Sequence, residues 1–170
     1  MDMLPVDLRV DLDAAETLTM GTDEIVVLTS CAHTNGDIYA VLVRMPPGGG
    51  PPVMHRHAPS EVYLVLEGEF AFYVGGRHET VDRVPVRAGQ VMPLAGGTPH
   101  TIRNESDADA VAFVVHSPGR AMEGFTRAAA SLAARGEPSM EAVLAIAEEH
   151  GIELLGPVPA GAGGTGPAQR

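Results

Sequence analysis

Gly49-Gly50-Pro51-Pro52-Val53-Met54-His55-Arg56-His57-Ala58-Pro59-Ser60-Glu61, running on through Val62-Tyr63-Leu64-Val65-Leu66-Glu67 to Gly68, is the stretch on which the reading of this chain turns. His55 and His57 share a parity, so on an extended segment both imidazoles project to one side, as two ligands of one metal must. Glu61 opens the apolar run that follows and can bring a carboxylate to the same point. A second cluster holds Gly89, then Gly97-Thr98-Pro99-His100, then Asn104, and His100 offers a third imidazole from a neighbouring strand. Three neutral imidazoles and a carboxylate suit a first-row transition metal and leave positions open for water, oxygen or a substrate. The alternative is an empty scaffold site, but burying these four groups without a cation is costly.

Outward from this stretch, short apolar segments bounded by turn residues read as strands: Glu24 to Ser30, Asp37 to Met45, Glu61 to Leu66, Glu69 to Val74, Val84 to Val86, Gln90 to Leu94, His100 to Arg103 and Ala110 to His116. Gly75-Gly76 separates two of them in the manner of a tight hairpin, and Asn104 to Asp109 is a polar turn. Val62 to Leu66 is apolar on both faces, so its strand is expected between two layers. After Pro118-Gly119, apolar residues recur at Met122, Phe125, Ala129 and Leu132 and predict a helix closed by Gly136. A second helix starts at a Ser139 cap, places Val143, Ile146 and Ala147 on one face and ends at His150-Gly151. The class is all-β with two short C-terminal helices packed outside the β unit. Its expected parts are an N-terminal extended segment (1–23), a barrel (24–117), a helical extension (118–155) and a flexible Gly/Pro/Ala tail (156–170).

Length and charge bound the function. At 170 residues the chain is one domain with ends attached. Eleven arginines without a lysine, against 22 acids, leave a formal net charge of −11, which repels nucleic acid and anionic membranes, so neither is an expected partner. No stretch approaches the ~18 apolar residues of a membrane span. The first eleven residues carry three acids rather than a basic region before an apolar run, and Cys31 is the sole cysteine, so a cytoplasmic location is expected. Arginine without lysine also reads as the bias of a GC-rich bacterial source. Leu4, Val6, Leu8, Val10 and Leu12 alternate with polar residues like an extra strand, which predicts a homodimer formed through that segment.

The two clusters resemble the paired motifs of the cupin family, G-x5-H-x-H-x3-4-E-x6-G and G-x5-P-x-G-x2-H-x3-N. Gly49, His55, His57, Glu61 and Gly68 match the first at every fixed position, and Gly89, Gly97, His100 and Asn104 match the second, with Ala95 where the family usually has proline. The resemblance implies a double-stranded β-helix, a small jelly-roll barrel, with His55, His57, Glu61 and His100 as ligands of one divalent iron, nickel, manganese, copper or zinc ion. The two helices and the ending Glu148 to Pro157 make the whole chain similar to single-domain cupins related to quercetin dioxygenase.

That resemblance implies a dioxygenase acting on an enolic or phenolic small molecule, with Glu61 taking the substrate proton as general base. The alternatives are an isomerase, cyclase or lyase that uses the metal as a Lewis acid, or a barrel that binds a small molecule without chemistry. Met45, Val53, Tyr63, Phe70, Phe72, Met92 and Ile102, with Met54 and Val65, are the candidates for an apolar substrate pocket, about a third of them in contact with a ligand. Arg56 points away from its histidine neighbours toward solvent. Tyr39 and Tyr73 are expected to pack their rings and leave their hydroxyls in water. Cys31 reads as a small buried hydrophobe rather than a nucleophile. His33, His78, His116 and His150 lack ligand spacing and default to surface or capping roles.

Overall fold

Residues that alternate apolar and polar along this chain pair into antiparallel sheets, and the computed structural model describes residues 9–76 and 80–162. Among these, eleven strands are formed: β1 (Thr17–Met20), β2 (Asp23–Thr29), β3 (Tyr39–Met45), β4 (Met54–Arg56), β5 (Ser60–Glu67), β6 (Glu69–Gly75), β7 (Val81–Arg87), β8 (Val91–Leu94), β9 (His100–Arg103), β10 (Ala110–Ser117) and β11 (Glu153–Gly156). One sheet runs β1-β2-β3-β10-β5-β8 and the other β11-β4-β9-β6-β7. Tyr39, Val41, Val65, Phe70, Phe72 and Val114 are fully buried between them. All eight strands expected from the sequence are present within a few residues. The three additional ones, β1, β4 and β11, are three or four residues long, too short to declare an alternation of their own.

The outer layers differ from the sequence reading. Along β5, Glu61, Tyr63 and Val65 point into the barrel, while Val62 and Leu66 are 42% and 45% exposed, so this strand is covered on one face only. β6 is the strand covered on both. Phe70 and Phe72 face the core, and on its other side Ala71 and Tyr73 pack with Met54, Val81, Val158 and Ala162. The stretch expected as a loose tail therefore begins as a covering for the second sheet, and 163–170 lie outside the described residues. The Gly75-Gly76 hairpin is longer than a two-residue turn: Gly75 pairs with Val81, and the Gly76 N–H donates to the Thr80 carbonyl.

Of the N-terminal alternation, Leu4, Val6 and Leu8 lie outside the described residues. Leu12 opens a 3-10 turn, Leu12–Ala14, capped by Asp11, so the extended pattern does not continue through it. The helices are α1 (Arg120–Ala133) and α2 (Met140–Glu149). The Ser139 side chain accepts the Ala142 N–H and caps α2, as its position before an apolar periodic run predicts.

The motif residues that are not ligands explain how the site loops are built. A Cβ on Gly49 would stand 2.4 Å from Asp23 Oδ1, and Gly68 sits at φ +70°, where side chains are strained. Buried Asn104 uses its whole amide: Nδ2 donates to the carbonyls of Met45 (2.8 Å) and Ala108 (2.7 Å), and Oδ1 accepts from the Ser106 N–H and hydroxyl. Its role is to staple the loop before β10. At the place of the missing proline, Thr98 N–H bonds back to the Ala95 carbonyl and Gly97 N–H to the His57 carbonyl. With Gly97 at φ +81°, the turn forms without proline.

Candidate metal centre

His55 on β4, His57 just beyond it and His100 on β9 come together because β4 and β9 pair with His55 opposite His100. Their ligating nitrogens lie within 4.8 Å of one another, close to twice a metal–imidazole bond of ~2.1 Å. Each ring is oriented by a backbone carbonyl two residues away. Nδ1 of His57 lies 3.0 Å from the Pro59 oxygen, that of His100 2.8 Å from the Thr98 oxygen and that of His55 3.4 Å from the Val53 oxygen. A carbonyl only accepts, so each Nδ1 carries the proton and each Nε2 presents a lone pair, the tautomer a metal requires.

Glu61 enters from β5 and is almost wholly buried. Its Oε1 lies 3.3 Å from His57 Nε2 and 3.0 Å from His116 Nε2, and its Oε2 lies 3.0 Å from His100 Nε2. The Tyr63 hydroxyl donates to Oε2 at 3.3 Å. Burial alone raises the Glu61 carboxyl, but the facing imidazoles of His100, His116 and His57 outweigh it and hold it well below the usual carboxylate range. Burial, reinforced by repulsion from His100 and His57, pushes His55 down to about 4, so that ring is neutral near pH 7. Burial also opposes charge on His100, yet Glu61 outweighs it and moves His100 upward.

The contacts of Glu61 with His57 and His100 are close, but neither has hydrogen-bond geometry: both Nε2 atoms are buried without a hydrogen-bond partner. Lone pairs facing a carboxylate call for a cation, and the donor set of three neutral imidazoles with an adjacent carboxylate fits a divalent transition metal. The three imidazoles form the convergent group, and Glu61 touches two of them.

The site opens into one cavity of about 560 Å³, reached by His55 and Glu61 and also lined by His116, Met45, Val53, Tyr63 and Ile102. Phe70 and Phe72, expected in the pocket, are core instead. They sit beneath it, with Phe72 edge-on to Tyr63 at 5.0 Å, backing the tyrosine that holds Glu61. Met92 and Val65 pack in the same core, and Met54 faces the outer cluster. These corrections share a cause, since strand parity assigns a face but not a height along the barrel.

His116 was missed as a site residue. It is buried, stacks on Tyr39 at 5.6 Å and faces Glu61 because β10 and β5 pair with these two residues opposite each other. Its parity with Ala112 and Val114 is the sequence signal that pointed inward. Tyr39, expected to put its hydroxyl in water, is wholly buried with that hydroxyl lacking a partner. The Tyr73 hydroxyl donates to Glu105. Arg56 is exposed and pairs with Glu153 at 2.7 Å. His33 Nδ1 accepts the Ser30 N–H in a capping box, and His150 is the C-cap of α2, as their capping assignment predicts. His78 lies outside the described residues. Cys31 is buried, and its amide donates to Glu123.

Residues 41–116 match the cupin domain model. Solved structures resembling the chain include a predicted oxalate decarboxylase from Thermotoga maritima, 25% identical, covering 64% of this chain and 96% of that one, at a TM-score of 0.52. Another is an RmlC-like cupin from Shewanella frigidimarina, 22% identical over 66% of this chain and 91% of that one, at 0.55. A third is a sugar phosphate isomerase of the cupin superfamily from Silicibacter pomeroyi, 21% identical over 64% and 74%, at 0.53. No curated protein matches the sequence. Residues 41–116 are thus similar to the cupin domain, and the two sheets with their converging histidines give this chain the fold of the cupin structures it resembles.

Proposed function

We propose that this protein is a metal-dependent cupin enzyme, a dioxygenase acting on an enolic or phenolic small molecule. The observation that carries the reading is the union of two features: three convergent imidazoles, two of which (His57 and His100) bury an Nε2 without a hydrogen-bond partner, and an apolar cavity without arginine or lysine that opens onto them. His55, His57 and His100 would hold the ion, with Glu61 completing the set. A divalent transition metal held there supplies Lewis acidity that favours an enolate or phenolate and, if redox-active, a path for electrons to dioxygen.

The residues of the chain do the rest. His55 and Glu61 are the members of the ligand set that reach the cavity, so a substrate oxygen approaches on their side. Glu61 faces the cavity as an ionised carboxylate, the group of the set whose oxygens would take the substrate proton. Tyr63 and His116 steady the carboxylate through their contacts with its two oxygens. A phosphorylated sugar, the substrate class in the name of the Silicibacter relative, needs arginine or lysine partners. No arginine lines this cavity and the sequence has no lysine, whereas an aromatic body suits its walls.

The first experiment is elemental analysis of protein purified without chelator, beside His100→Ala. One equivalent of iron, nickel or copper in the wild type, lost in the variant, followed by oxygen uptake with enolic or phenolic compounds, supports the reading. Turnover that proceeds without oxygen overturns the dioxygenase in favour of Lewis-acid chemistry. Absence of metal in both proteins overturns metal dependence altogether.

A further inference from the structure

The helical extension has apolar faces that packing does not use up. On α1 the buried residues are Met122, Glu123 and Thr126, and on α2 only Ala147 is buried. Phe125, Ala129 and Leu132 of α1, with Val143 and Ile146 of α2, are only partly covered. All five line the same cavity that reaches His55 and Glu61. Apolar side chains at helical spacing normally pack against a core; Phe125 does so, whereas Ala129, Leu132, Val143 and Ile146 face Val43, Val53 and Ile102 of the barrel across the cavity.

That space is held open by polar contacts at the rim. Glu123 accepts the Cys31 N–H at 2.7 Å and the Ser30 hydroxyl at 2.8 Å, which ties α1 to the loop after β2. Arg127, one turn on, grips both oxygens of Glu16 at 2.8 and 2.9 Å while also bonding Glu123. Glu123 is the buried member of this group, so α1 cannot sink onto the barrel without breaking its bonds to Ser30 and Cys31. The same bonds turn Arg127 away from the cavity, whose wall contains neither arginine nor lysine.

We infer that α1 and α2 form the second wall of the binding site and set its specificity, so that the substrate carries its metal-binding oxygens at one end and an uncharged apolar body at the other, seated between the barrel mouth and the two helices. This rests on the proposed metal chemistry and deepens it, because it assigns the far half of the molecule. A bare chelating head leaves the helix faces uncovered. An acid at the far end meets an apolar wall with no cation.

The test uses three probes with one catechol head, titrated calorimetrically into metal-loaded protein: catechol, 4-tert-butylcatechol and 3,4-dihydroxybenzoate. The expected order is 4-tert-butylcatechol at least ~10-fold tighter than catechol, from burial of the added methyls, and 3,4-dihydroxybenzoate at least ~10-fold weaker than catechol, from its desolvated charge. Ala129→Phe fills the space under α1 and should bring the tert-butylcatechol to catechol affinity ratio to about one. Val143→Phe does the same from α2 if the first variant does not fold, with metal content as the check on a native site. Equal affinities in the wild type, or a preference that survives both phenylalanine variants, overturn the helical wall while leaving the metal reading standing. Failure of all three probes to bind the loaded wild type overturns the phenolic reading and this inference with it.

Discussion

Replacing Asp23 by asparagine should stabilise this protein at neutral pH and do nothing at low pH. Asp23 is 8% exposed at the edge of the cavity. The Gly50 N–H and, at 3.5 Å, the Thr22 hydroxyl serve it, and no cation does. Burial dominates these hydrogen bonds and moves its carboxyl from the ordinary 3.8 up to about 6. A folded-state value above the unfolded one means that the folded form holds its proton more tightly. The contribution is therefore fully present below pH 3.8 and is lost as pH rises through about 6, leaving a cost at neutrality. The shift corresponds to ~3 kcal/mol at its limit. Water reaches neighbouring Thr22 and Pro52, and screening brings this to ~1–2 kcal/mol. Asparagine keeps an oxygen for the Gly50 N–H and carries no charge. Urea unfolding of both proteins from pH 3.5 to 8 should give a midpoint difference that grows with pH at constant m, reaching ~1–2 kcal/mol above pH 7 and ~2–8 °C in Tm. A difference that is independent of pH, or a less stable variant at pH 8, would refute the view of Asp23 as a buried, unneutralised carboxylate.

Three other outcomes follow from the same contacts. Glu61→Gln leaves three imidazoles in place and should keep most of the metal by elemental analysis while losing ~100-fold or more in turnover, the scale of a removed general base. His57→Ala should lose both, and retained turnover in the glutamine variant removes the base role from Glu61. Cys31 should resist a thiol reagent in the native protein at pH 8 and react at once in urea, because burial and then the adjacent Glu123 push its thiol up to about 11; rapid native labelling would contradict this placement. The homodimer expected from the alternation of residues 4–12 is checked by light scattering, with a dimer mass for the intact chain and a monomer mass after deletion of residues 1–12.

Much of the site was legible because local rules act on it. Two histidines of equal parity, a glutamate opening the next strand and a third histidine after a glycine turn are arranged by the pleat and the turns, which are encoded within a few residues. The Ser139 cap and the glycine at 68 belong to the same class, whereas His116, assigned to the surface or a cap, was missed. Substrate-pocket assignments fared less well. Met45, Val53, Tyr63 and Ile102 line the cavity, whereas Phe70 and Phe72 have the correct face and the wrong height, filling the core under Tyr63 instead.

Sequence alone determined the all-β class, eight of the eleven strands, the grouping of three histidines with Glu61, and the two helices. Each of these is a matter of periodicity or of spacing along one stretch of chain. Only the tertiary structure decided what depends on register between distant segments. The pairing of β10 with β5 sets His116 against Glu61, and the pairing of β11 with β4 carries the residues after α2 back to the second sheet. The Glu123 and Arg127 contacts hold α1 above the barrel and leave a cavity between them. Register and standoff arise from contacts between residues tens of positions apart, whose partners are chosen by the packing of the whole chain and leave no periodic trace in either segment.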